Sequence, residues 1–124
     1  IIKTSIIGHE IKSKASLLEW FLSQKGSVNG YTNHLWNGNT TLEWSKFCLK
    51  MILNWENFEK VNVLSSTVIS KYDLLLTISE IYKSPVEVNP YVHQDKVDYK
   101  CLSGKVILPD IEQQLHELKK FYCK

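Results

Sequence analysis

The chain has 124 residues, a formal net charge of +2 and 44% hydrophobic residues, which fits one globular domain or part of one. No run of about 18 apolar residues occurs, so no membrane span is expected. All fifteen basic residues are Lys and are spread along the chain; without the guanidinium fork, sequence-specific nucleic-acid recognition is not expected.

Residues 1–7, IIKTSII, read as one strand, with four Ile and a Lys-Thr-Ser centre. The segment has neither a basic leader nor a small-residue cleavage site, and its mid-strand character points to a piece of a longer chain. Gly8 ends it, and His9, Glu10 and the Lys-rich IKSKA that follow read as a solvated loop. Ser16 and Glu19 have capping-box spacing ahead of a helix that presents Leu17, Leu18, Phe21 and Leu22, with Lys25-Gly26 as its stop.

The stretch from Ser27 to Leu53 reads as the organising unit of the chain. Asn29-Gly30 and Asn37-Gly38 are turn signals that bracket an extended, aromatic-bearing segment, Tyr31 to Trp36. Tyr31 and Trp36 could stack on a sugar or base, or simply pack. Thr40 and Glu43 form a second capping box. The helix after it carries Trp44, Phe47, Cys48, Met51, Ile52 and Trp55 at helical spacing, and the rest of the chain is expected to cover that stripe. Asn39-Thr40-Thr41 matches a glycosylation sequon, but helix capping explains it better.

Beyond this unit, Val61 to Leu64 reads as a short strand. Ser70 and Asp73 cap a third helix with a stripe of Leu74, Leu75, Ile78, Ile81 and Tyr82, which Pro85 stops. Val86-Glu87-Val88 alternates like an edge strand that Pro90 closes. Residues 91–108 carry little pattern. A metal set of His93, Asp95 and Asp98 is conceivable there, but three ligands on no defined element are weak grounds, and a solvated loop is the expectation. Pro109 fits the first turn of a last helix whose stripe is Ile111, Leu115, Leu118 and Tyr122. The three cysteines, Cys48, Cys101 and Cys123, have no paired spacing, which fits a reducing, cytoplasmic setting, with Cys48 a buried small hydrophobe.

Residue chemistry alone shows no active site. The five glycines sit singly, none of the six tyrosines has Lys four positions on, and the four histidines share no ligand spacing.

Three stretches, Lys3-Thr4-Ser5-Ile6-Ile7-Gly8-His9-Glu10, Ser16 to Gln24 and Val28 to Asn33, resemble the extended short-chain dehydrogenases/reductases, and in particular the sugar-nucleotide reductases related to dTDP-4-dehydrorhamnose reductase. Gly38 to Glu43 and Ile69 to Leu75 continue the resemblance, which weakens after about residue 91. These motifs mark the C-terminal half of that family. The resemblance implies an α/β fold: the C-terminal strand of a Rossmann-like sheet (residues 1–8) plus a small mixed α/β substrate-binding lobe with about four helices (residues 9–124). It implies NAD(P) for the full-length enzyme and hydride transfer at C4 of a keto-deoxy sugar nucleotide. The family's glycine-rich cofactor turn and Tyr-x-x-x-Lys pair are missing, so this chain alone is expected neither to bind NAD(P) nor to catalyse. Lys3 stands where the family carries Arg, which replaces a fork with a point charge.

The expected substrate contacts are Thr4 and Ser5 at the strand end, then Trp36, Asn39 and Thr40 at the mouth of the capped helix. The expected partners are a nucleotide-sugar substrate and, through exposed apolar surface, another copy or a complementing N-terminal part, but no nucleic acid and no membrane. The alternative is a stand-alone binding or interaction module derived from the same fold.

Overall fold

A computed structural model of the protein describes residues 1–13, 16–92 and 98–122. The strands are β1 (Ile2–Lys3), β2 (Ile6–Ile7), β3 (Ser27–Tyr31), β4 (His34–Trp36), β5 (Asn39–Thr40), β6 (Asn62–Ser65), β7 (Ile69–Ser70), β8 (Glu87–Tyr91), β9 (Asp98–Lys100) and β10 (Val106–Ile107). The helices are α1 (Leu17–Ser23), α2 (Thr41–Leu53), α3 (Lys71–Tyr82) and α4 (Ile111–Tyr122), with a 3-10 turn at Trp55–Asn57. Most strand pairs are parallel and their connections run through helices, the mark of a mixed α/β fold.

The single strand expected over residues 1–7 is two. β1 pairs in parallel with β6, which also pairs with β10, giving the order β1-β6-β10. β2 leaves that sheet and pairs in parallel with β5. The break falls at Thr4-Ser5. The Thr4 hydroxyl donates to the Ser5 carbonyl at 3.0 Å, and that carbonyl also accepts the Asn39 N–H at 2.9 Å. Polar residues at the middle of the segment thus let its two apolar ends reach different partners.

Asn29-Gly30 is no turn. Both residues lie inside β3, which pairs in parallel with β8 and places Gly30 opposite Pro90. Gly30 is needed for close approach, because a Cβ there would sit 2.8 Å from the Tyr72 Cα. The chain turns instead at Thr32-Asn33. Pro90 does not close β8, which continues to Tyr91 as an edge strand that tolerates the missing N–H. Segment 98–108, which showed little pattern, contributes β9 beside β4 and β10 beside β6.

The core gathers on α3 rather than α2. Leu74, Leu75, Ile78 and Ile81 of α3 are buried against Leu18 and Phe21 of α1, and against Ile111, Leu115 and Leu118 of α4. Of the stripe expected on α2, only Phe47 is buried, edge-on to Phe58. Ile52 is 67% and Trp55 70% exposed, and Leu49, Leu53 and Ile1 are exposed beside them. Cys48 is half-buried, and Tyr122 is exposed rather than part of the α4 stripe. Helical periodicity identifies residues that share a face, not whether another element covers it.

Two of the expected caps form: the Thr40 hydroxyl accepts the Glu43 N–H at 3.2 Å, and that of Ser70 accepts the Asp73 N–H at 3.1 Å. Ser16 precedes α1 without capping it through its side chain. At α4 the cap is Asp110, whose carboxylate accepts the Gln113 N–H at 2.9 Å, so Pro109 lies outside the helix.

One polar cluster sits inside this core. The Gln114 carbonyl oxygen accepts the Thr40 N–H at 2.8 Å, and its NH2 donates to Asn39 Oδ1 at 2.9 Å and to the Pro109 carbonyl at 2.6 Å. The Asn39 NH2 in turn donates to Thr4 Oγ1 at 3.1 Å. Replacing Gln114 by Leu leaves buried donors and acceptors unmatched. Urea unfolding of Gln114→Leu is expected to show a loss of about 2–4 kcal/mol, against about 0.5 kcal/mol or less for Ile52→Ala on the exposed face of α2.

Candidate functional site

The five residues singled out as substrate contacts meet at the ends of β2, β4 and β5. Asn39 binds Ser5 through its backbone N–H and Thr4 through its side chain. Trp36 joins them across Gly38, where an added Cβ would lie 2.5 Å from the Ser5 carbonyl oxygen and would run into the Trp36 ring. They are unequally accessible. Asn39 and Thr40, at 0% and 1% exposure, have their polar groups committed to Gln114, Thr4 and the α2 cap. Thr4, Ser5 and Trp36 are half-buried, and Trp36 packs one side of its ring on the core. Asn39 and Thr40 therefore form the buried floor of the cluster, and Ser5 and Trp36 its more accessible side. The side-chain amide of Asn39, the Asn of the sequon, is buried and hydrogen-bonded to Thr4 and Gln114.

Beside this floor lies a cavity of about 200 Å³ lined by Ile6, Ile7, Leu17, Trp36, Lys71 and Leu74. Leu17 and Lys71 also line a second cavity, of about 500 Å³, between α1, β3 and α3. Sequence reasoning did not find Lys71. Its one local signal is a cation at the first position of a helix, where the dipole disfavours it. A separate cavity of about 400 Å³ between the 3-10 turn and Ser103-Gly104-Lys105 is lined by none of the five residues.

His9 is not in a solvated loop. Its Nδ1 lies 2.6 Å from Glu19 Oε1 and its Nε2 2.7 Å from the Tyr82 hydroxyl, with the Tyr122 ring 4.9 Å away. Glu19, read as half of a capping box, is thereby turned to the imidazole. The cluster ties the segment after β2 to α1 and α3.

His93 and Asp95 of the conceivable metal set lie outside the described residues, as does Cys123. Among the described residues no three His, Cys, Asp or Glu side chains are grouped to hold a metal ion, and no helix is long and apolar enough to cross a membrane.

No family model matches the chain, and no curated protein matches it. Solved structures do. The dTDP-4-dehydrorhamnose reductase of Bacillus anthracis, in complex with NADP, superposes with a TM-score of 0.79 at 12% identity, over 98% of this chain and 47% of that one. The orthologue from Clostridium acetobutylicum gives 0.77 at 13% identity, over 99% and 48%. The UDP-N-acetylglucosamine 4-epimerase of Methanobrevibacter ruminantium, in complex with UDP-N-acetylmuramic acid, gives 0.64 at 17% identity, over 98% and 45%. The chain thus spans about half the length of the solved chains it matches. Its fold is that of about half of each of these solved chains, in line with the fold the sequence resemblance implied.

Because Gly38 sits between a carbonyl and an indole, it offers a direct probe of the site. Gly38→Ala is expected to cost about 1–3 kcal/mol in urea unfolding and to move the Trp36 indole N–H resonance, while the Trp55 resonance stays in place.

Proposed function

We propose that this chain is the substrate-binding, C-terminal portion of an NAD(P)-dependent sugar-nucleotide reductase or epimerase. The observation that carries the proposal is the superposition of nearly the whole chain on half of several such enzymes, with the five contact residues gathered at strand ends. In this reading β1, with β6 and β10 beside it, continues the dinucleotide-binding sheet, and the rest of residues 9–124 together with β2 form the substrate lobe. Thr4, Ser5 and Trp36 meet the substrate, Trp36 by stacking on a ring, while Asn39 and Thr40 hold the floor in register.

The residues present do not fit a dinucleotide. The glycines are single and serve close packing or one turn, and no Tyr-x-x-x-Lys pair exists in the 124 residues. The proposal therefore assigns NAD(P), the glycine-rich turn and the catalytic Tyr–Lys pair to a nucleotide-binding half outside these residues. The open flank supports that assignment. β1 is an edge strand of an all-parallel sheet, a kind of sheet that is covered in stable folds; Ile1 and Trp55 are exposed near it, and Ile52 is exposed on α2.

The test is a titration of the purified protein with UDP-glucose, followed by NMR of the tryptophan indole N–H signals. A saturable shift of Trp36, weakened about tenfold in Trp36→Ala, is expected. No saturable shift at millimolar UDP-glucose would overturn the substrate assignment. For the flank, the isolated chain is expected to sediment above 14.4 kDa, and Ile52→Lys with Trp55→Lys to return it to a monomer. A dilute monomer before substitution would count against the covered flank.

A further inference from the structure

The cavity between the 3-10 turn and Ser103-Gly104-Lys105 has no part in the reading above. It lies at the amino ends of β6 and β10, where Asn62 and Val106 begin their strands. Ligand crevices of open α/β sheets lie at the carboxyl ends, so this is a separate place on the fold. We propose that it binds a free apolar α-amino acid. Asn62 and Glu59 take the ammonium, Lys105 and Ser103 the carboxylate, and Phe58 with Val61 the side chain. The inference does not rest on the sugar-nucleotide reading.

Its volume, about 400 Å³, lies in the range of small-molecule sites. Asn62 is the residue that points to a ligand. It lines the cavity and is 7% exposed. Its NH2 donates to the Glu59 carbonyl at 3.0 Å, while its Oδ1 accepts no hydrogen bond among the described residues. An acceptor this buried is costly to leave unmatched, and a donor on a molecule in the cavity matches it. The walls are already set. The half-buried Phe58 is edge-on to Phe47 at 5.6 Å, which orients its ring. Gly104 lets its loop press against β6, since an added Cβ would lie 2.4 Å from the Val63 carbonyl oxygen.

The lining carries both signs of charge. Glu59 and Lys105 are exposed and border the same cavity, yet neither is ion-paired among the described residues. A simple anion is repelled there by the carboxylate, and a simple cation by the ammonium. A compact zwitterion suits both. The ammonium of an amino acid can donate to Asn62 Oδ1 and to the Glu59 carboxylate, and its carboxylate can accept from Lys105 and from the Ser103 hydroxyl. What remains of the lining near β6 is Phe58, Val61 and Val63, which favours an apolar side chain over a polar one. Phe58 and Glu59 also border the smaller cavity that holds Ile1 and Trp55, so an occupied site adjoins the exposed flank.

The test titrates the purified protein with L-leucine, L-phenylalanine, N-acetyl-L-leucine and L-leucinamide and follows the backbone N–H signals of Asn62, Gly104 and Lys105 by NMR. At least one of the two free amino acids is expected to shift these signals saturably at millimolar concentration. Removing either charge, by acetylation or by amidation, should weaken binding about tenfold. Lys105→Ala and Glu59→Gln should each weaken the free amino acid about tenfold, while Lys105→Arg should keep it within about threefold. The arginine variant, with signals far from the cavity unmoved in all three, separates a binding loss from a folding loss. No saturable shift with either amino acid, equal binding of a capped derivative, or unchanged affinity in Lys105→Ala or Glu59→Gln would each overturn the proposal. UDP-glucose is expected not to compete, and competition would overturn the separate site. A failure of UDP-glucose to bind at all leaves the amino-acid result standing.

Discussion

The side-chain amide of Gln114 is the constraint on which the strand-end region depends. It reaches from α4 to β5, accepts the Thr40 N–H and donates to Asn39, which reaches on to Thr4. Residues far apart in sequence are thus joined through the buried side chains of Gln114 and Asn39. A buried network of this kind holds its geometry because any slip leaves a donor or acceptor unmatched in a low dielectric. The ends of β2 and β5, and with them Ser5 and Trp36, take their positions from it. α4 is therefore more than a cover for the core. It sets the floor beside which the cavity lined by Trp36 opens.

Much of this was legible in the sequence. Capping spacing located the starts of α2 and α3, and the apolar period of α3 identified four residues that are buried together. The family resemblance implied the fold that the superposition shows. What could not be read was governed by tertiary context. The break at Thr4-Ser5 depends on β5 and β6 competing for one strand's partners. Asn29-Gly30 carries a turn signal, yet Gly30 is there because Tyr72 comes close. Glu19 had a local partner in Ser16 and took a distant one in His9. The apolar stripe of α2 was real as a pattern, but the surface to cover it is not among the described residues.

The candidate site divides along the same line. Thr4, Ser5, Trp36, Asn39 and Thr40 were expected from the strand-end position and the resemblance, and the structure brings them together. Lys71 was missed because its significance is relational: a cation at a helix start is unremarkable until two cavities are seen to share it. A chain with a well-knit strand-end cluster and an open sheet edge is physically coherent with the proposal of one side of a two-part oxidoreductase.

The most direct measurement of that account is the intact mass and composition of the native protein as isolated from its own source. The account predicts either a polypeptide of roughly twice 14.4 kDa or a stable complex with a separate nucleotide-binding α/β chain that covers Ile52 and Trp55. A native species of 14.4 kDa, monomeric when dilute and free of any such partner, would contradict it.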